Sequence, residues 1–285
     1  MGLRSALVAA LVLAAFALAA DRGGGFYLPG VAPTDYEDGA LVEVLANKLE
    51  SKSEHLAYDY HSVLFCRPLD EASGEEKKGR VRSKKHLNFG QLMTGERAEA
   101  TRYELNMMVD ETCKLACISK PSKKALLQTM KMIKKGFMVR LNADNMPVIT
   151  RSKQSESYWL GFPVGIEHEQ DLVLFNHVSF TVLVHRPAPN VISKLDGISA
   201  DRVHRVVGFE ASVRSIDHKL DAQGKLTCDS TSQLKLTQST ERLVFSYDVS
   251  FKESDQPWAT RWDPLLKASL EQRRVQWLPL INSSA

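Results

Sequence analysis

After its first twenty residues the chain has no apolar run near the roughly 18 residues that a bilayer-spanning helix requires. Its longest runs, such as Phe180 to Val184, are of strand length. The residues beyond the leader are therefore expected to form a soluble domain. An excess of charge of one sign is also lacking, since 37 Lys and Arg against 34 Asp and Glu leave a formal balance of +3. That is too little to draw a nucleic acid partner by electrostatics. Catalytic signatures are missing as well: there is no GxSxG elbow, no GxxxxGK[ST] loop, no GxGxxG after a strand and no HExxH. We expect no enzyme and no cofactor.

What remains is ordinary globular material, with 44% hydrophobic and 25% charged residues, which excludes a disordered or fibrous chain. The first twenty residues stand apart. Arg4 supplies a positive n-region, Ala6 to Ala20 is Leu- and Ala-rich, and Ala17-Leu18-Ala19 has the small-x-small form of a cleavage site. We read residues 1–20 as a secretory signal peptide, 21–277 as one β-rich domain and 278–285 as a short terminal stub.

Cysteine is scarce, and its context gives it meaning. Cys66, Cys113, Cys117 and Cys228 are an even number in a chain read as entering an oxidising lumen, which favours disulfides. Cys113 and Cys117 could form half of a metal site, but no second CxxC or HxxxH accompanies them. No metal is expected. Three pairings are open; the reading leans to Cys66 with Cys117 and Cys113 with Cys228.

Period-two alternation dominates the domain. It runs through Tyr103, Leu105, Met107 and Val109; Phe137, Val139 and Leu141; Val178, Phe180, Val182 and Val184; Val207, Phe209, Ala211 and Val213; and Leu243, Phe245, Tyr247, Val249 and Phe251. Half-buried strands separated by Gly, Pro, Asn and Asp clusters predict a mainly β fold, an antiparallel sandwich with one or two short helices. One helix should open at Pro121-Ser122, close at Gly136 and cap the sheet with Leu126, Met130 and Ile133. A second should start at Asp263-Pro264.

Candidate sites are few, and each has a plainer alternative. Lys77 to Lys85 and Lys120 to Lys135 contain basic stretches that could meet anionic lipid or an acidic partner, but solvated surfaces have the same composition. Asn176-His177 and His185 fall on one strand, with both imidazoles on one face; structural or surface roles are expected. Glu167-His168-Glu169-Gln170-Asp171 lacks the regular oxygen spacing of a calcium loop and reads as an exposed loop. Trp258, Arg261 and Trp262 could form a stacking site for a sugar, with Asp263 a carboxylate beside Arg261, although a buried aromatic cluster is the commoner use.

Ordered blocks then resemble a known family. Phe26-Tyr27-Leu28-Pro29-Gly30-Val31-Ala32-Pro33 looks like the mature N-terminus of the nonaspanins, the transmembrane 9 superfamily. Tyr58-Asp59-Tyr60 with Phe65-Cys66-Arg67-Pro68, Cys113-Lys114-Leu115-Ala116-Cys117, Asp144-Asn145-Met146-Pro147-Val148, Gly161-Phe162-Pro163-Val164-Gly165, Phe175-Asn176-His177-Val178, Phe245-Ser246-Tyr247-Asp248-Val249-Ser250-Phe251 and Trp258-Ala259-Thr260-Arg261-Trp262-Asp263 follow in the family's order. Val275 to Ser283 resembles the segment leading into the first membrane helix of that family. The resemblance implies a luminal domain of a protein of Golgi and endosomal membranes, truncated before its membrane region. It also implies sorting and surface delivery of membrane-protein cargo through a longer parent. The alternative is a secreted glycan- or lipid-binding β-sandwich.

Overall fold

The computed structural model describes residues 32–54, 56–69, 98–151, 158–188, 192, 202–220, 226–228 and 232–266. Residues 1–20, read from the sequence as a signal peptide, Phe26 to Gly30, the Lys77 to Lys85 stretch and residues 278–285 lie outside them.

Eleven strands and one helix carry the architecture. They are β1 (Leu41–Ala46), β2 (Glu99–Asn106), β3 (Glu111–Ser119), α1 (Lys123–Lys134), β4 (Leu141–Ala143), β5 (Ile149–Arg151), β6 (Tyr158–Leu160), β7 (Gly165–His168), β8 (Asp171–Leu174), β9 (His177–His185), β10 (Val203–Arg214) and β11 (Leu243–Glu253). The large sheet runs β3-β11-β9-β10-β5-β6, with Tyr36–Glu37 added against β10. A smaller sheet runs β2-β1-β4 and ends on Met146–Pro147. The fold is mainly β, as expected, and most neighbours are antiparallel. The large sheet is nevertheless mixed, because β9 pairs with β11 in parallel over eight residues, His177 to Val184, and β10 meets β5 in parallel. Alternation specifies which face of a strand is apolar but is silent on strand direction, so the sequence could not show this.

The two sheets share one apolar core. Tyr103 of β2 meets Phe180 of β9 and Tyr247 of β11 edge-on, with ring centroids 5.0 and 5.2 Å apart. Val42, Val44 and Leu105 from the small sheet join Val182, Phe209 and Phe245 from the large one in the same buried cluster. Such edge-to-face pairs add to the hydrophobic gain of burying the rings. One expected inward residue is not inward. β2 ends at Asn106 and the chain turns through Met108 at φ 59°, leaving Val109 past the strand and 41% exposed.

Helix α1 begins where Ser122 Oγ accepts the Ala125 N–H. It ends in a left-handed Gly136, whose N–H reaches the Ile133 carbonyl while the Phe137 N–H reaches that of Met132. This is a Schellman closure with Phe137 buried against it. The buried face is Leu126, Thr129, Met132 and Ile133, with Met130 at its margin. It covers the β7–β8 hairpin rather than the large sheet. A Cβ on Gly165 would stand 2.2 Å from the Val173 carbonyl oxygen and 2.9 Å from Ile133 Cδ1, so only glycine lets helix and hairpin approach this closely. The acidic segment read as a loop is the tip of this hairpin: His168 pairs with Asp171 across a turn at Glu169, and all its residues from Glu167 to Asp171 are exposed. Residues 263–266 are helical, at the place where the second helix was expected.

Candidate functional site

Parallel pairing of β9 with β11 sets His177 beside Ser246, Ser179 beside Asp248 and Thr181 beside Ser250. All six lie on the face turned away from Val178, Phe180 and Val182, because side chains alternate along a strand. The result is a polar ladder. His177 Nδ1 lies 2.7 Å from Ser246 Oγ and its Nε2 lies 2.9 Å from Asp248 Oδ2. Ser179 donates to the same Oδ2 at 2.8 Å, and the Cys113 N–H donates to Oδ1 at 2.8 Å. Beyond Ser246, His218 Nε2 stands 3.0 Å from the hydroxyl oxygen.

Protons in this chain can be placed from the charge of Asp248. Burial raises its pKa, but the Cys113 N–H and the hydrogen bonds from His177 and Ser179 outweigh burial and hold the carboxyl below its ordinary value. An ionised Asp248 accepts the His177 Nε2–H. Arg214 Nη2, 3.0 Å from that nitrogen, then finds no lone pair there and donates to Asp248 Oδ2 at 3.3 Å. Burial lowers the pKa of both His177 and His218, so each is neutral near pH 7. His177 Nδ1 therefore accepts from Ser246, whose oxygen accepts from His218 Nε2.

Asp, His and Ser in this order have the outline of a hydrolytic triad. The surroundings do not fit attack on a substrate. Ser246 is 1% exposed and its oxygen is engaged by two imidazoles. What the arrangement can do is hold two strands in register and conduct a proton between the two histidines. At its edge are the sulfurs of Cys113–Cys228, with Cys228 Sγ 3.6 Å from Ser246 Oγ and 4.0 Å from His218 Nδ1. A cavity of about 250 Å³ borders the cluster, lined by Asn176, Ile216, Asp217, His218, Leu226 and Arg242 among others.

Both disulfides that the sequence reading leaned to are formed, Cys66–Cys117 and Cys113–Cys228. Asn176 is buried and ties the cavity floor together. Its amide donates to the carbonyls of Ile216 and Val244 and accepts the Ile216 N–H, at 2.8 to 2.9 Å. His185 lies on the same strand face as His177 but eight residues along it, where it meets the Ser254 carbonyl. Among the described residues no group of three or more His, Cys, Asp or Glu is placed to hold a metal, and no helix is long and apolar enough to cross a membrane.

The Trp-x-x-Arg-Trp group is split. Trp258 and Arg261 are buried, with the guanidinium carbon 4.4 Å from the indole centroid. Arg261 Nη1 donates to Asp144 Oδ2 and to the Val206 carbonyl, both at 2.8 Å. Its carboxylate partner is thus Asp144, 117 residues upstream, and not Asp263, which is exposed. Asp144 and Asn145 both have positive φ, 48° and 62°, in the two-residue turn joining Ala143 to Met146. Such a turn suits Asp and Asn, and it presents the Asp144 carboxylate to the arginine. Trp262 remains 40% exposed.

Ser179, Arg214, His218, Ser246 and Asp248 were not singled out from the sequence. A signal was present in the strict polar alternation of His177-Val178-Ser179-Phe180-Thr181 and Ser246-Tyr247-Asp248-Val249-Ser250, but the partnership between segments 69 residues apart was not.

The described residues form a disulfide-braced, mainly β structure, and the family model described as Endomembrane protein 70 matches residues 57–285. The chain belongs to the transmembrane 9 superfamily. It is 33% identical over 288 residues to Transmembrane 9 superfamily member 11 of Arabidopsis thaliana, covering 91% of this chain and 42% of that protein. It is 30% identical over 292 residues to Transmembrane 9 superfamily member 4 of Rattus norvegicus, covering 92% of this chain and 42% of that one. The chain thus spans about two-fifths of the length of these relatives. No solved structure matches it.

Proposed function

We propose that this chain is a non-catalytic, lumen-facing binding and scaffold domain of the secretory pathway. In a longer parent of Golgi and endosomal membranes it would serve the sorting and surface delivery of other membrane proteins. The observation that carries this reading is the match to transmembrane 9 superfamily members along about nine-tenths of the chain. The closed Ser246 hydroxyl and the bracing by two disulfides support a role in holding a surface rather than in turning over a substrate.

The test is to express the chain with its own leader in a secretory cell, crosslink in the lumen, and identify membrane proteins retained with it. In parallel, the arrival of those proteins at the surface is followed. A reproducible subset of captured membrane proteins with delayed arrival is expected; capture of none, with unaltered arrival, defeats the proposal.

A second reading, a glycan- or anionic-lipid-binding β-sandwich, draws on exposed indoles. Trp159 is 51% exposed with Lys52 Nζ 5.1 Å from its ring centroid, and Trp262 is also open. Trp258 is taken by Arg261 and offers no face to a ligand. Glycan arrays and vesicles of phosphatidylserine, probed with the parent chain and with Trp159→Ala, separate this reading from the first. It requires binding that the substitution abolishes.

A further inference from the structure

The two disulfides stand in opposite chemical surroundings. Cys66 and Cys117 belong to the main apolar cluster, among Tyr60, Phe65 and Phe245. Expelling a thiolate into that apolar cluster would carry a desolvation cost. Cys113–Cys228 lies instead against the ladder, where Cys228 Sγ faces the Ser246 hydroxyl and His218 Nδ1. Its other half is conformationally exceptional. Cys113 has φ 53°, left-handed for a residue with a side chain, at a bulge where β3 slips against β11 between Tyr247 and Val249. Its amide is held there by Asp248 Oδ1.

We propose that Cys113–Cys228 is a thiol–disulfide exchange site that reacts with dithiols, with Ser246 and His218 handling the proton on Cys228. One thiolate of the dithiol attacks Cys113 Sγ. The electron pair of the S–S bond leaves on Cys228 Sγ, giving a mixed disulfide between Cys113 and the dithiol. The second thiol of the reagent then attacks its own bridged sulfur and releases Cys113. The dithiol has become a disulfide, and two electrons and two protons now reside on Cys113 and Cys228.

The leaving group decides the rate of such a step, because a stabilised thiolate leaves faster. The Ser246 hydroxyl can turn its proton toward Cys228 Sγ, and a protonated His218 can hand over the Nδ1 proton. The cavity lets water reach the His218 ring to replace it, since His218 is part of its wall. In the reverse direction neutral His218 takes the proton from the Cys228 thiol and so promotes closure. The groups facing this imidazole are Ser246 and, beyond it, His177 with Asp248 and Arg214; the Thr227 carbonyl 3.4 Å from Nδ1; and Asp217, whose charge favours protonation. Reopening would free residues 226–228 from β3 and leave the core bridge intact, so the exchange could proceed without unfolding the domain.

The test treats the folded full chain with dithiothreitol below its unfolding threshold, quenches with an alkylating agent at intervals and maps the four cysteines by peptide mass spectrometry. Cys66–Cys117 serves as the internal reference. Cys113 and Cys228 are expected to label at least about tenfold faster than the reference pair while far-UV circular dichroism stays native. His218→Gln should slow the opening, with a loss that grows as pH falls through the imidazole titration and vanishes above it. A parallel arm with reduced thioredoxin distinguishes a protein dithiol from a small one as the partner, and opening in either arm supports the site. Simultaneous opening of both bridges, earlier opening of Cys66–Cys117, or opening only with loss of the native spectrum would overturn the proposal. These outcomes are read on the unaltered chain, so a misfolded variant does not shelter it.

Discussion

Arg261 shows how one side chain can join distant parts of the chain. The residue is 2% exposed and its guanidinium touches Asp144, the Val206 carbonyl and the Trp258 ring, linking the small sheet's turn, β10 and the segment after β11. A buried ion pair adds little over a well-packed apolar pair, yet deleting one partner strands the other charge. Arg261→Ala should therefore cost about 3–5 kcal/mol, read as a drop in the urea midpoint, and Arg261→Met with Asp144→Leu should recover much of that loss. A cost below about 1 kcal/mol for the single change would mean the charges are solvated. Gly161 is the second such position. Its φ is 80° and an added Cβ would lie 2.2 Å from the Val139 carbonyl oxygen, a contact with backbone that cannot rotate away. Gly161→Ala should destabilise the chain by about 1–3 kcal/mol in the same assay.

Among the elements, α1 was the most readable. Pro121-Ser122 and Gly136 mark its ends in the sequence, and both caps are formed as those residues dictate. Ser122→Ala removes the acceptor for the Ala125 N–H and should cost about 1 kcal/mol, with the loss visible in thermal unfolding. Strands were legible as faces: Val178, Phe180, Val182 and Val184 are all buried, as are Phe245, Tyr247 and Val249. Partnership was not legible, because a strand's own residues do not name the neighbour. The parallel pair β9 and β11 escaped for that reason, and the His177, Ser246 and Asp248 ladder escaped with it. Asp144 as the partner of Arg261 is a similar case, in that the nearest carboxylate in sequence, Asp263, faces solvent. The disulfide pairing needed the fold as well, since three connectivities satisfy the same four cysteines.

For the whole molecule, buried histidines make stability depend on pH. Burial lowers the pKa of His61 to about 4, and its Nε2 hydrogen-bonds to the Ala100 carbonyl at 3.1 Å, with Glu99 farther off at 3.8 Å. His177 and His218 shift in the same direction. Unfolded, all three return to about 6.5. Below that value the unfolded chain binds more protons than the folded one, so the stabilisation, full above about pH 6.5, is lost as pH falls toward the folded pKa values. Asp248, held below its ordinary value, extends the loss to lower pH still. The urea midpoint should be clearly lower at pH 5 than at pH 7, and His61→Gln should narrow the difference. Equal midpoints at the two pH values would refute the account.

The placement of β11 also governs when this domain can form during synthesis. This strand is the last of the large sheet to be made, yet it lies between β3 and β9, and Arg261 follows it by only eight residues. A nascent chain that has delivered β3, β9 and β10 still lacks the strand that joins β3 to the others. It must wait with Phe180, Phe209 and Tyr103 only partly covered. Long-range pairing of this kind is slow and leaves apolar edges open to chaperones in the meantime. Arrested chains ending before residue 243 should accordingly remain protease-sensitive, and resistance should appear only once residues through Arg261 have left the ribosome.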